Sequence, residues 1–166
     1  EYIENLISKI RKEIPEVVLR TSLIVGFPGE TQEDFDELYE FVNKTKFDRL
    51  GTFMYSKEEN TPASRLPNQI HHSTKRARYN KIMKEQKAIA TENLKSKIGK
   101  KYKVLIEDVS FDNKYFIGRT MYDIPQEDGL VYIKNNKDLL KKDLLNKFVE
   151  CEITDINDYD LIGKII

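Results

Sequence analysis

The chain has 166 residues, of which 39% are hydrophobic and 34% are charged, a composition typical of soluble globular domains. Lys plus Arg and Asp plus Glu number 28 each, so the formal net charge is zero and no global positive field attracts nucleic acid or anionic lipid. The single cysteine, Cys151, excludes an internal disulfide framework. No apolar run approaches the ~20 residues that span a bilayer, and no signal peptide is visible, so we expect a cytoplasmic protein without a membrane partner.

The first part of the chain alternates helical and strand patterns. Apolar residues at helical spacing predict a helix over residues 1–13, and because Glu1 already lies inside this pattern, we expect the chain to begin within a domain. The apolar, β-branched run at 17–27 predicts a strand that is covered on both faces. Thr31 is a good N-cap for a helix that extends to about residue 44, and a second strand follows at 50–55. This order is typical of a parallel α/β fold.

The remainder of the chain changes in character. Residues 56–74 read as a long loop, and a polar helix starts at Thr74 and is capped by Gly99. Short alternating runs and turn signals then predict five strands that form a small closed β-barrel of the oligonucleotide-binding type. These strands are expected at 102–109, 115–122, 129–133, 148–153 and 161–166, with a loop or short helix at 138–145. The predicted fold class is therefore α/β plus all-β.

The turn after the first strand is the strongest candidate for a ligand site. In parallel α/β folds ligands gather at the carboxyl ends of strands, and the glycines in residues 26–30 permit a close backbone approach. Arg20, Ser22 and Ile24 alternate onto one face of the strand, where an arginine would need an anionic partner. The alternative is that the glycines make only a tight turn and that Arg20 pairs with a carboxylate of the protein. Neither a P-loop nor a dinucleotide fingerprint is present.

Motifs in both parts of the chain carry a family resemblance. In the first part they are Leu-Arg-Thr-Ser-Leu-Ile-Val-Gly-Phe-Pro-Gly-Glu-Thr at 19–31, Phe-Asp-Arg-Leu-Gly at 47–51 and Tyr-Ser at 55–56. They resemble the fifth and sixth strands of the radical-SAM methylthiotransferases. The segments 117–120, 128–133 and 159–163 resemble the TRAM domain of the same family. The resemblance covers essentially the whole chain.

The resemblance implies the C-terminal part of a TIM-like α/β barrel at residues 1–93, followed by a TRAM domain at 94–166. It further implies S-adenosylmethionine and 4Fe-4S clusters in the full-length parent, with three cysteines in a Cys-x3-Cys-x2-Cys loop that is absent from this chain. We therefore expect no catalytic residue and no metal ligand in the chain, which should be inactive alone. Ile24 and Gly26 match the position where the family's fifth strand meets the adenosine, and Arg20 and Ser22 are candidates for polar contacts.

Several other residues have less specific interpretations. His71 and His72 are adjacent in a polar segment and are expected to be solvated rather than to bind a metal. Cys151 is expected to be a small buried residue. Tyr55 and Ser56 either touch substrate or pack. A basic group at the start of the polar helix is expected to lie on a solvated face; its members are Lys75, Arg76 and Arg78.

The charge count bears on the partner. Residues 94–166 contain 13 Lys and Arg against 13 Asp and Glu, whereas a domain that grips transfer RNA is usually visibly basic. Exposed carboxylates would instead suit a basic small-subunit ribosomal protein; the candidates are Asp123, Glu127, Asp128, Asp155, Asp158 and Asp160. The resemblance is closest to the branch that methylthiolates an aspartate of such a protein. The alternatives are the sister branch, which modifies an adenosine of transfer RNA, and a non-catalytic TRAM binding module. The sequence does not decide the oligomeric state.

Overall fold

The structure is a computed structural model that describes residues 2–135 and 144–166. The chain divides into two compact units, Glu1–Ala90 and Thr91–Ile166. The boundary between them falls within the long third helix, as does the boundary at 93/94 that we predict from the sequence. The loop or short helix predicted at 138–145 lies mostly outside the described residues.

The first unit is built from two helix–strand pairs and the start of a long helix. Its elements are α1 (Tyr2–Glu13), β1 (Arg20–Val25), α2 (Gln32–Thr45), β2 (Arg49–Met54), a short 3-10 helix (Pro62–Arg65) and α3 (His72–Lys95). β1 and β2 are parallel, with Arg20 opposite Arg49 and Val25 opposite Met54. The α/β order predicted from the sequence is therefore confirmed.

The core of the first unit lies on one face of the two strands. Buried apolar residues from both strands, α2 and α3 pack together there: Val25, Phe35, Val42, Phe47, Leu50, Ile82 and Ile89. The opposite face is open, since Ile24 and Phe53 stay 58% and 59% exposed. The prediction that the first strand is covered on both faces is thus wrong for the part of the chain that the structure describes, because the helices cover one side only.

The helix ends follow their local signals. Thr31 accepts a hydrogen bond from the Asp34 amide at 3.1 Å, and the Asp34 carboxylate accepts one from the Thr31 amide at 2.9 Å, a complete capping box. Lys46 closes α2 in a left-handed conformation. Gly99 was expected to cap α3, but the helix ends four residues earlier, and the Gly99 amide donates to the Ile153 carbonyl at 2.8 Å.

The second unit is a closed five-stranded barrel, as predicted. Its strands are β3 (Lys101–Val109), β4 (Tyr115–Thr120), β5 (Val131–Lys134), β6 (Phe148–Asn157) and β7 (Asp160–Ile165). They close in the order β3-β4-β5-β7-β6, in which β5 and β7 are parallel and every other pair is antiparallel. Alternate residues point inward and fill the barrel; the core contains Leu94, Val104, Ile106, Phe116, Val131, Ile133, Cys151, Ile153 and Leu161.

Candidate functional site

The turn at the carboxyl end of β1 is held by its own hydrogen bonds. Gly26 and Gly29 have φ values of +73° and +89°, which glycine adopts without the steric cost that a side chain would add. The Glu30 amide donates to the Phe27 carbonyl at 3.0 Å. The Glu30 carboxylate in turn accepts a hydrogen bond from the Gly26 amide, also at 3.0 Å. The turn is therefore closed on itself by one backbone bond and one side-chain bond.

Arg78 of α3 reaches this turn and is buried there. Its side chain is 7% exposed and forms an ion pair with the Glu30 carboxylate, which is 11% exposed. The same guanidinium donates to the carbonyls of Glu30 at 3.2 Å and Thr31 at 3.0 Å. The expectation that Arg78 lies on a solvated helix face is wrong, because the helix packs against the turn, and Glu30 and Thr31 of the turn supply three acceptors for the guanidinium. Arg76 is exposed, as expected.

Lys75 lies one helical turn before Arg78 on α3 and also contacts the end of β1. A Cβ atom on Gly26 would overlap the Lys75 side chain, so the lysine stem packs directly on the glycine. The Lys75 ammonium donates to the Tyr55 carbonyl at 2.8 Å and lies 4.9 Å from the centroid of the Tyr55 ring. The expectation of a solvated Lys75 is therefore also wrong. The Tyr55 amide also donates to the Val25 carbonyl at 2.9 Å, which joins the ends of β1 and β2. Lys75 of α3 therefore contacts both strand ends.

The candidate ligand residues of β1 lie on the open face of the sheet. Arg20, Ser22 and Ile24 all have exposed side chains, and the register places them beside Arg49, Gly51 and Phe53 of β2. The Arg20 side chain is exposed to solvent, so its charge does not require an anionic partner inside the protein. Ile24 and Phe53 lie side by side and form an apolar surface that is open at the carboxyl end.

Gly26 differs from Arg20, Ser22 and Ile24 in the side of the strand that it faces. Gly26 is buried and its Cβ side faces Lys75, whereas Ile24 faces the open side of the sheet. Tyr55 is half-buried, with its ring packed edge-on at 5.2 Å from that of Phe27, an arrangement that matches the packing alternative for this residue.

The second motif of the resemblance, at residues 47–51, has structural roles. The Asp48 carboxylate accepts a hydrogen bond from the Leu19 amide at 2.9 Å and so ties the start of β2 to the start of β1. Phe47 lies in the core, and its carbonyl accepts a hydrogen bond at 2.9 Å from Gln86, which is 4% exposed. The sequence analysis gave no role to Gln86 or to the Glu30 side chain, and it placed Arg78 on a solvated face. For Gln86 and Arg78, a polar residue on the inner stripe of the helical pattern was the available signal.

The histidines and the cysteine lie apart from this site. His71 and His72 are exposed, and His71 Nδ1 lies 2.7 Å from Ser73 Oγ. Cys151 is fully buried in the barrel, as predicted, and burial raises the pKa of its thiol to about 11, which keeps it unreactive near neutral pH. Within residues 2–135 and 144–166, no group of three or more His, Cys, Asp or Glu side chains is arranged to hold a metal ion.

The acidic residues of the barrel divide into two groups. Asp123 is 7% exposed and accepts hydrogen bonds from the Thr120 amide at 3.0 Å and hydroxyl at 2.6 Å. The carboxylates of Asp128 and Asp160 accept hydrogen bonds from nearby backbone amides, at 2.8 Å in each case. The prediction of a partner contact is therefore wrong for the buried Asp123. Of the six candidates, Glu127, Asp155 and Asp158 are exposed.

Opposite charges alternate on the outer surface of the barrel. Lys101 lies opposite Glu152 and Lys103 opposite Glu150 across β3 and β6. Glu152 also pairs with Lys164 at 3.2 Å. These neighbours neutralise one another, so this face presents no basic stripe that could follow a phosphate backbone.

No helix in the described part of the chain combines the length and the apolar character that a membrane crossing requires.

Comparison with known proteins gives consistent matches. Residues 98–166 match the TRAM domain family. The chain is 57% identical over 163 residues to a protein of Alkaliphilus oremlandii named ribosomal protein uS12 methylthiotransferase RimO, an alignment that covers 98% of this chain and 36% of that protein. Proteins of the same name from Lachnoclostridium phytofermentans and Acetivibrio thermocellus are 47% and 48% identical, over 98% and 100% of this chain and 36% of each relative. The chain thus spans about a third of the length of the curated relatives it matches.

Proposed function

Because this chain belongs to the methylthiotransferase family and carries its TRAM domain, we propose that it is part of an enzyme that methylthiolates an aspartate of the small-subunit ribosomal protein uS12. The observation that carries the proposal is the 57% identity to a uS12 methylthiotransferase across 98% of the chain. At that level of identity the fold and the buried contacts of a domain are shared, and the same partner is the simplest expectation.

S-adenosylmethionine is the proposed cofactor of the open β1–β2 face. Ile24 and Phe53 form an exposed apolar surface next to the strand ends, which suits the flat face of an adenine. Ser22 and Arg20 lie further down the same face and offer polar contacts. When bound and reduced by a 4Fe-4S cluster, S-adenosylmethionine supplies the radical chemistry; this chain would bind and orient its adenosine.

The iron–sulfur clusters require cysteines from outside this chain. Cys151 is the single cysteine of the sequence and lies buried in the barrel, so it cannot provide three thiolate ligands. We therefore propose that the 166 residues alone are inactive and that the remainder of the enzyme provides the cluster loop.

The TRAM barrel is the proposed site of substrate recognition. Across β3 and β6 lysines lie opposite glutamates, and Glu127, Asp155 and Asp158 are exposed, an arrangement suited to a basic protein segment. The alternative is a transfer-RNA adenosine methylthiotransferase, for which a basic stripe on the barrel would be expected. A non-catalytic TRAM binding module is the second alternative; a cysteine loop upstream of residue 1 in the gene would contradict it.

A binding titration distinguishes the two substrates. The chain is titrated with purified uS12 and, separately, with unmodified transfer RNA, each at low and at high salt. We expect saturable binding of uS12 and only weak binding of transfer RNA. Selective binding of transfer RNA with a steep salt dependence would assign the chain to the sister enzyme, because released counterions are the signature of phosphate contacts. A triple variant that replaces Glu127, Asp155 and Asp158 by Asn or Gln should weaken the uS12 complex.

A further inference from the structure

The ion pair between Glu30 and Arg78 has a second connection that reaches β1. One carboxylate oxygen of Glu30 binds the guanidinium, and the other accepts the hydrogen bond from the Gly26 amide at 3.0 Å. The chain of contacts therefore passes from α3 through Glu30 to the backbone at the strand end.

The peptide plane between Val25 and Gly26 is fixed from both sides. Its N–H group donates to Glu30, and its carbonyl accepts the amide of Tyr55 at 2.9 Å. Lys75 packs against the Gly26 Cα and donates to the Tyr55 carbonyl, which holds the second contact in place. The peptide plane therefore has one orientation, set by side chains from the first two turns of α3.

A buried ion pair is weak evidence for stability, since desolvation offsets much of the attraction between the charges. Arg78 nevertheless occupies three acceptors in one turn, and a fixed fork of donors imposes a single geometry on them. We therefore attribute the role of this ion pair to the turn conformation that it fixes, rather than to a gain in the free energy of unfolding.

We propose that Arg78 and Glu30 are positioning residues: by holding the Gly26 turn they fix the end of β1, and with it Ile24, in the conformation that the ligand of the open β1 face requires. The identity of that ligand, S-adenosylmethionine, rests on the proposed function. Neither side chain needs to touch it: Glu30 acts through the Gly26 amide, and Arg78 acts through Glu30.

The first measurement needs no ligand. Hydrogen exchange at residues 26–31 is compared in the wild-type complete gene product and in the Arg78→Met and Glu30→Gln variants. We expect exchange there to accelerate on the order of tenfold, because the bonds that protect the turn open locally. Arg76→Met is the matched control, since Arg76 is exposed two residues earlier on the same helix. Ile82→Val, a buried change in the same helix, controls for general destabilisation.

The second measurement is equilibrium binding of S-adenosylmethionine to the same proteins. Arg78→Met and Glu30→Gln should weaken binding several-fold, while Arg76→Met and Ile82→Val leave it unchanged. If Arg78→Met fails to fold, Arg78→Lys keeps the charge and the apolar stem but loses the fork, and it should show a smaller effect of the same kind.

The outcomes separate the two claims. Unchanged exchange at 26–31 in the folded Arg78 variants, or an equal acceleration in Ile82→Val, overturns the positioning role. A wild-type protein that does not bind S-adenosylmethionine instead contradicts the proposed cofactor, and the exchange comparison then decides the positioning claim by itself.

Discussion

Asp123 lies buried three residues after the end of β4, and its carboxylate accepts hydrogen bonds from the Thr120 amide and hydroxyl. The bond to the hydroxyl, at 2.6 Å, has the length typical of a charge-assisted bond. When a buried hydrogen-bond donor loses its acceptor, no bond offsets the free energy of removing that donor from water. The residue therefore stabilises the turn that leaves β4, and its charge is not available to a partner.

Replacing Asp123 by Ala should lower the free energy of unfolding by about 1–3 kcal/mol, because the Thr120 donors would stay buried without their acceptor. Glu127→Ala in the same loop removes an exposed carboxylate and should change the stability by less than ~0.5 kcal/mol. Urea denaturation of the chain measures both. Equal stabilities of the two variants would contradict the structural role of Asp123.

Cys151 should make the stability of the chain depend on pH. Burial raises the pKa of its thiol from 9.0 to about 11, so between these values the unfolded chain loses a proton that the folded chain keeps. The stabilisation from the neutral thiol is complete below pH 9 and is lost as the pH rises to about 11, a loss of about 2–3 kcal/mol.

The comparison of wild type with Cys151→Ala isolates this effect, because all other titrating groups are common to both proteins. The stability advantage of the wild type in urea denaturation should shrink as the pH rises through this window. A constant difference between the two proteins would show that the thiol does not titrate as its burial indicates.

The pairing of β6 with β7 depends on a close approach at Gly163. A Cβ atom at this position would overlap the Cys151 sulfur and lie 2.9 Å from the Glu152 carbonyl oxygen. Gly163 lies opposite Ile153 in the register, so the two backbones cannot separate without disturbing the barrel core.

Gly163→Ala should therefore destabilise the barrel by about 1–3 kcal/mol through overpacking. Gly51→Ala is the matched control, since the nearest atom to its Cβ is in Phe53 at 3.6 Å, an ordinary contact. Thermal unfolding monitored by circular dichroism compares them. Adding Cys151→Ala to Gly163→Ala should recover part of the loss; no recovery would locate the strain elsewhere.

The elements themselves were largely predictable from the sequence. Alternation, turn signals and the Thr31 cap identify the strands and α2 to within a few residues, because these signals are local. The roles of Arg78, Lys75 and Asp123 were not predictable, since each depends on which segment folds against it. The open face of β1 was missed for the same reason: an apolar run specifies burial but not how many faces the rest of the fold covers.

At the scale of the whole molecule, the balance of charges supports the proposed protein partner over a nucleic acid. The net charge is zero, and on the barrel Lys101, Lys103 and Lys164 lie opposite or pair with glutamates. A neutral surface of alternating charge gives little counterion release and hence little affinity for phosphates.

The most direct test of the proposed function is mass spectrometry of uS12 and of transfer RNA from cells with and without the gene that encodes this chain. We expect the mass of one methylthio group to disappear from an aspartate of uS12 in the deletion strain and to return on complementation, while transfer RNA is unaffected. An unchanged uS12, with the methylthio group lost from a transfer-RNA adenosine instead, would contradict the account.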